Sequence, residues 1–147
     1  MNRKKIVIDT DIVLDHLIYR GSSSRERRSL LTRIMNEYFC YTTVFNAIEL
    51  FSLCRRKDEL ETVAYVPSSL KLLGMNGKSA KNLGPLLATA RKNRMRDFDA
   101  LIAGVCIESR LSRLTRNPKR YKGLRSLSMV NSRNLTMSNK QAEGESE

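Results

Sequence analysis

Three acidic residues stand inside otherwise apolar runs of this sequence. Asp9 directly follows Ile6-Val7-Ile8, Glu49 lies between Ala47-Ile48 and Leu50-Phe51, and Asp99 lies between Phe98 and Ala100-Leu101-Ile102-Ala103. A carboxylate carried into apolar surroundings is costly unless it is paired or bound to a metal. Taken singly, each acid has an ordinary explanation in a salt bridge or a helix cap, and Asp99 at a helix start also suits the helix dipole. Taken together, they suggest a metal centre. Hard divalent ions such as Mg²⁺ and Mn²⁺ prefer oxygen ligands. Such an ion lowers the pKa of a bound water and offsets charge on a phosphate under attack. The three acids are 40 and 50 residues apart, so only the fold can bring them together.

The remainder of the chain is basic. There are 27 Lys and Arg against 15 Asp and Glu, a formal net charge of +12. Residues 128–147 hold Arg133 and Lys140 against Glu143, Glu145 and Glu147, so everything before them carries +13. A body this basic attracts polyanions through counterion release. Nucleic acid is the leading partner, and an acidic protein is also admissible. Cys40, Cys54 and Cys106 form no Cys-x-x-Cys pair, and the single His16 cannot complete a zinc set. Buried thiols in a reducing compartment are the expectation. No stretch approaches the roughly 18 apolar residues of a membrane helix. The apolar run near the N-terminus meets Asp9 too early for a signal peptide. A cytoplasmic chain without membrane association is expected.

A chain of 147 residues with 41% hydrophobic residues has room for one domain with a real core. Lys5–Asp9 (KIVID) reads as a buried strand, and 11–19 can be helical until Gly21-Ser22-Ser23-Ser24 breaks it. From Ser24, Leu30, Leu31, Ile34, Met35 and Tyr38 recur at helical spacing. Residues 39–42 suggest a second strand, and Thr42 and Thr43 suit the cap of a helix over roughly 44–56. Another helix is expected over 58–65, closed or redirected by Pro67. Residues 70–75 fit a strand or a helix, and 79–92 a helix interrupted near Gly84-Pro85. Asp99 opens a helix to about Arg110, LSRLT (111–115) is a short strand, 116–121 a loop and 124–128 a last strand. Residues 1–128 then form the domain and 129–147 a loose C-terminal tail. Strands alternating with helices imply a three-layer α/β/α fold around a mostly parallel sheet of four to five strands. Ligands of such sheets bind at the carboxyl ends of the strands, where Asp9 and Asn117 should face one crevice.

KIVIDTDIVLDHL (5–17), TTVFNAIELF (42–51), RDFDALIAGVCI (96–107) and LTRNPKRY (114–121) together resemble the motifs of the PIN-domain superfamily, and specifically of VapC-type toxins of toxin–antitoxin pairs. The resemblance spans about residues 4–128. It implies a PIN-like fold and a metal-dependent ribonuclease that hydrolyses RNA phosphodiester bonds with Mg²⁺ or Mn²⁺. It further implies an antitoxin that blocks the acidic pocket, and a homodimer. Carried over by position, Asp9, Glu49 and Asp99 match the family's metal-binding acids. Asn117 falls where the family has a fourth acid, a departure that removes one negative charge and puts tight binding of a second ion in doubt. Thr115 offers a hydroxyl nearby and Arg116 a phosphate clamp. Asp11 and Asp97 are candidates for a supporting layer behind the ligands. On a helix, Asp97 would point about 200° away from Asp99.

Two other readings use the same residues. Asp9-Thr10-Asp11 after an apolar strand also resembles the first motif of haloacid-dehalogenase phosphatases, with Asp9 as nucleophile. The rest of that pattern is missing, because Arg116-Asn117 follow the late strand. A catalytically weak RNA-binding or interaction module would keep the fold and charge while the acids serve structure alone, and Asn117 argues for it.

Overall fold

The computed structural model describes residues 3–20 and 30–131. Five strands form one fully parallel sheet: β1 (Lys4–Ile8), β2 (Tyr38–Thr43), β3 (Lys71–Leu73), β4 (Ser112–Thr115) and β5 (Met129–Asn131), in the order β3-β2-β1-β4-β5. Among the described residues six α-helices accompany them: α1 (Thr10–Arg20), α2 (Leu30–Glu37), α3 (Val44–Ser52), α4 (Lys57–Ser69), α5 (Gly77–Lys92) and α6 (Asp97–Ser109). The alternation of side chains along β1 divides the core into two layers. Ile6 and Ile8 pack with Ile12, Val13, Leu31, Ile34 and Leu50 on one face, while Val7 packs with Ala90, Ala100, Ile102, Ala103 and Cys106 on the other. Burying each Ile, Leu or Val among them stabilises the fold by about 1.5–3 kcal/mol. That anchors the strand whose next residue is Asp9. The expected three-layer α/β/α architecture is therefore observed.

Several boundaries differ from expectation, each for a local reason. Helix α5 runs unbroken through Gly84 and Pro85, because both lie on its exposed face, where a carbonyl that loses its N–H partner can be solvated. Helix α4 extends two residues past Pro67. Residues 70–75 resolve into the short edge strand β3. The segment 124–128 is no strand; Leu124 and Leu127 instead bury their side chains in the core, and β5 follows at Met129. The sheet thus reaches three residues into the expected tail, and residues 132–147 lie outside the described residues, as do 24–29 of the expected second helix. Helices α5 and α6 cross closely at Gly104, where an added Cβ would collide with Leu83 Cδ2. Among the described residues, no helix is long and apolar enough to cross a membrane.

The strand order carries a functional consequence. The chain moves outward from β1 to β2 and β3, then returns to place β4 on the other side of β1. The connections reverse direction between β1 and β4, and a crevice opens at the carboxyl ends of those two strands. Asp9 follows β1 at that point, and Thr115 ends β4 beside it.

Candidate active site

Asp9 is fully buried at the end of β1, its backbone N–H donating to Leu114 O at 3.0 Å. Its Oδ1 accepts from Thr10 N (2.8 Å), Asn46 Nδ2 (3.2 Å) and Arg113 Nη2, and its Oδ2 accepts from the Tyr121 hydroxyl at 3.0 Å. Arg113 projects from β4 and is itself fully buried, with its guanidinium over the Tyr121 ring at 4.9 Å. Burial alone would raise the Asp9 pKa, but the Arg113 charge foremost holds it below the ordinary 3.8. Asn46 organises the same network. As the third helical residue of α3 it forms a capping box with Thr43, and its Nδ2 also donates to Thr10 Oγ1 at 2.8 Å.

Glu49 and Asp99 approach from α3 and α6. Glu49 Oε1 accepts from Thr10 Oγ1 at 3.1 Å, and Asp99 stands almost completely buried in the first turn of α6. The three acids do come together, around Arg120. This residue sits in the short 3-10 turn Pro118–Tyr121. Its Nη2 lies 2.6 Å from Asp99 Oδ1 and 3.6 Å from Glu49 Oε2, and its Nη1 lies 3.8 Å from Asp9 Oδ2. Arg96 adds a looser contact to Asp99 Oδ2 at 3.7 Å. Glu49, Arg120 and Arg96 line a cavity of about 510 Å³, together with Thr10, Asp11, Leu14, Ile48, Ser52, Leu53 and Phe98.

As gathered here, these residues do not fit a divalent ion. Among the described residues, no group of three His, Cys, Asp or Glu side chains could hold one. The guanidinium of Arg120 lies between the oxygens that would be ligands, and Asp9 Oδ1 already accepts three hydrogen bonds.

The remaining candidates separate clearly. Asp11 borders the cavity; its Oδ2 accepts from Thr115 Oγ1 (3.1 Å) and Arg116 N (3.0 Å), while its buried Oδ1 has no partner among the described residues. Burial, and then the neighbouring Asp9 charge, push its pKa above 3.8. Thr115 is buried and serves as this anchor. Asp97 is exposed and pairs with Arg91 through two bonds of 2.9 and 2.7 Å, away from the acid cluster. Arg116 forks onto Asp15 at 3.1 and 2.8 Å, so its guanidinium is engaged there. Asn117 is exposed, and its side chain forms no hydrogen bond to the acids among the described residues. The position facing the carboxylates from this loop is 120.

Reading the sequence for buried acids missed the residues that answer them: Asn46, Arg113, Arg120 and Tyr121. Arg113 carries the same signal as Asp9, a charge inside a short apolar strand. Asn46, three residues after Thr43, has capping-box spacing. Nothing in the spacing marks Arg120, whose direction is set by the 3-10 turn.

A parallel α/β domain with an acidic cluster at its topological switch point is thus the class that fold and site define. The PIN domain family model matches residues 6–123, and the chain belongs to that family. The sequence matches no curated protein. Among solved structures, VapBC2 from Rickettsia felis bound to a promoter DNA fragment is similar, with 18% identity and a TM-score of 0.67. The likeness covers 86% of this chain and 97% of that one. DNA-bound VapBC from Salmonella typhimurium gives 15% identity and a TM-score of 0.70 over 88% of this chain and 98% of that one. A toxin–antitoxin complex from Klebsiella pneumoniae gives 15% and 0.63 over 87% and 98%. At such identities the likeness is one of fold.

Proposed function

We propose that the chain is a VapC-like endoribonuclease whose reaction centre is the cluster of Asp9, Glu49 and Asp99. The observation that supports this reading most is the convergence of three acids, from three separate elements, at the switch point of a PIN domain. RNA is the proposed substrate, drawn by the net charge of +12. Mg²⁺ or Mn²⁺ is the proposed cofactor; in the arrangement described, the Arg120 guanidinium lies between its proposed ligands. Arg96 at the cavity margin is placed to meet a phosphate, a role that Arg116, held by Asp15, is less free to take. The exposed apolar side chains of Ile48 and Leu53 beside the cavity suit a protein partner, for which an antitoxin is proposed. A homodimer in the cytoplasm completes the reading.

Cleavage of structured RNAs with Mg²⁺, Mn²⁺ or EDTA, comparing the wild type with Asp99→Asn, tests it. Loss of cleavage in EDTA and in the variant is expected. Metal-independent cleavage, or an unchanged rate in the variant, would sink the mechanism.

A second reading, a catalytically weak module that binds RNA or protein, draws support from a specific feature. Asp9 accepts four hydrogen bonds, and three arginines contact the acids. RNA binding without cleavage under any metal condition would favour it.

A further inference from the structure

We propose that Arg120 is a displaceable internal cation that closes the acid cluster, so that a divalent ion is taken up only when this side chain is driven out. The proposal rests on reading Asp9, Glu49 and Asp99 as the reaction centre. It adds a competition between one side chain and an ion for the same oxygens.

One guanidinium meets carboxylates from three elements, yet only the contact to Asp99, at 2.6 Å, has the length of a hydrogen bond. The contacts to Glu49 and Asp9, at 3.6 and 3.8 Å, are those of a cation centred by charge and not locked by geometry. Arginine stays charged at any pH the fold survives, so deprotonation cannot empty the cluster. The side chain has to move. Its position allows this: Arg120 is 21% exposed, lines the cavity and hangs from a four-residue turn. Arg113, by contrast, is sealed within the sheet. Charge also favours the exchange. A divalent ion in place of Arg120 offers two charges to the carboxylates of Asp9, Glu49 and Asp99 where the guanidinium offers one, while Arg113 and, more loosely, Arg96 keep their contacts.

Mn²⁺ binding to the full chain, followed by loss of the free-ion electron paramagnetic resonance signal, reads the competition directly. The melting temperature in EDTA and in Mn²⁺ provides a second measure. Arg120→Ala should bind Mn²⁺ at least about tenfold more tightly than the wild type. It should melt below the wild type in EDTA, where its acids lack a counter-charge, and regain that loss when Mn²⁺ is added. Arg120→Lys should fall between the two, and Arg56→Ala, which removes an exposed arginine paired with Asp58, should match the wild type. Arg120→Gln keeps a donor toward Asp99 without the charge and replaces the alanine variant if that chain does not fold.

Equal Mn²⁺ affinity in the wild type and the Arg120 variants would overturn the proposal, as would folded variants that bind no Mn²⁺. The ribonuclease reading fails separately, through an Asp99→Asn chain that cleaves RNA at the wild-type rate.

Discussion

Arg113 and Arg120 both face Asp9, but they do so from surroundings of opposite character. Arg113 lies in the interior of the sheet, fully buried against a fully buried carboxylate, with Asn46, Cys106 and Tyr121 around it. Arg120 reaches in from the surface, and two of its three carboxylate contacts are longer than a hydrogen bond. An ion pair in the interior is bound to its partner because either charge alone would be stranded without solvent. One at a cavity wall can exchange partners at little cost, since water replaces what is lost. The inner arginine therefore belongs to the fold and the outer one to the site.

The largest expected effect breaks the inner pair. Arg113→Met should cost about 3–5 kcal/mol in urea unfolding, because Asp9 is left buried with no cation nearer than Arg120 at 3.8 Å. Asp9→Asn combined with Arg113→Met should recover most of that loss. A cost below about 1 kcal/mol for the single change would show that the inner pair is no more integral than the outer one. The acid limb of stability gives the same contrast. The folded Asp9 pKa lies below 3.8, so its stabilisation is fully present above that value and is lost as pH falls through the folded pKa. In Arg113→Met this acid-labile contribution should disappear.

Next in size is a functional effect with little structural cost. Asp99→Asn should lower RNA cleavage by at least about 100-fold, equivalent to about 2.7 kcal/mol of barrier. Its effect on unfolding should stay near or below about 1 kcal/mol, since asparagine can still accept from Arg120. Equal losses of stability and activity would erase the division between the two regions.

The fold and the acids were legible in the sequence to an unequal degree. Strand β1 and helices α3 and α6 announce themselves through apolar patterning, and their order fixes the crevice at which Asp9 emerges. Asp9, Glu49 and Asp99 could be found because a carboxylate in an apolar run needs an explanation. What was not legible was the explanation. Arg113 is marked by the same rule, but its pairing with Asp9, 104 positions away, depends on β4 lying beside β1 in a particular register. The direction of Arg120 depends on the 3-10 turn after β4, and that turn also leaves Asn117 exposed. Motif position puts Asn117 at the fourth place of the proposed site, whereas the turn brings Arg120 to the three carboxylates. The last strand was missed because apolar residues at 124 and 127 look like half of a strand while serving as anchors in the core.

A smaller effect tests the loop itself. Arg116→Ala should cost less than about 1 kcal/mol, as expected for a partly exposed ion pair with Asp15. In fluorescence anisotropy it should weaken RNA binding less than Arg96→Ala does. The reverse order would mean that Asp15 yields Arg116 to RNA, restoring the role its motif position suggested.

The smallest expected effect has the opposite sign. Asp11 stands two residues from Asp9, but among the described residues no arginine side chain hydrogen-bonds to it, and its buried Oδ1 has no partner there. Burial and the Asp9 charge raise its folded pKa above 3.8. The folded state therefore binds its proton more readily than the unfolded chain does, and stability falls as pH rises from 3.8 through the folded value. Asp11→Asn removes that penalty while its carbonyl can still accept from Thr115 or Arg116 N. The variant should be more stable than the wild type at pH 7, by less than about 1 kcal/mol, with the gain vanishing below pH 3.8. Urea unfolding at both pH values decides the point. A variant less stable at pH 7 would mean that the bonds from Thr115 and Arg116 outweigh the charge, and Asp11 would then belong with the inner, structural region.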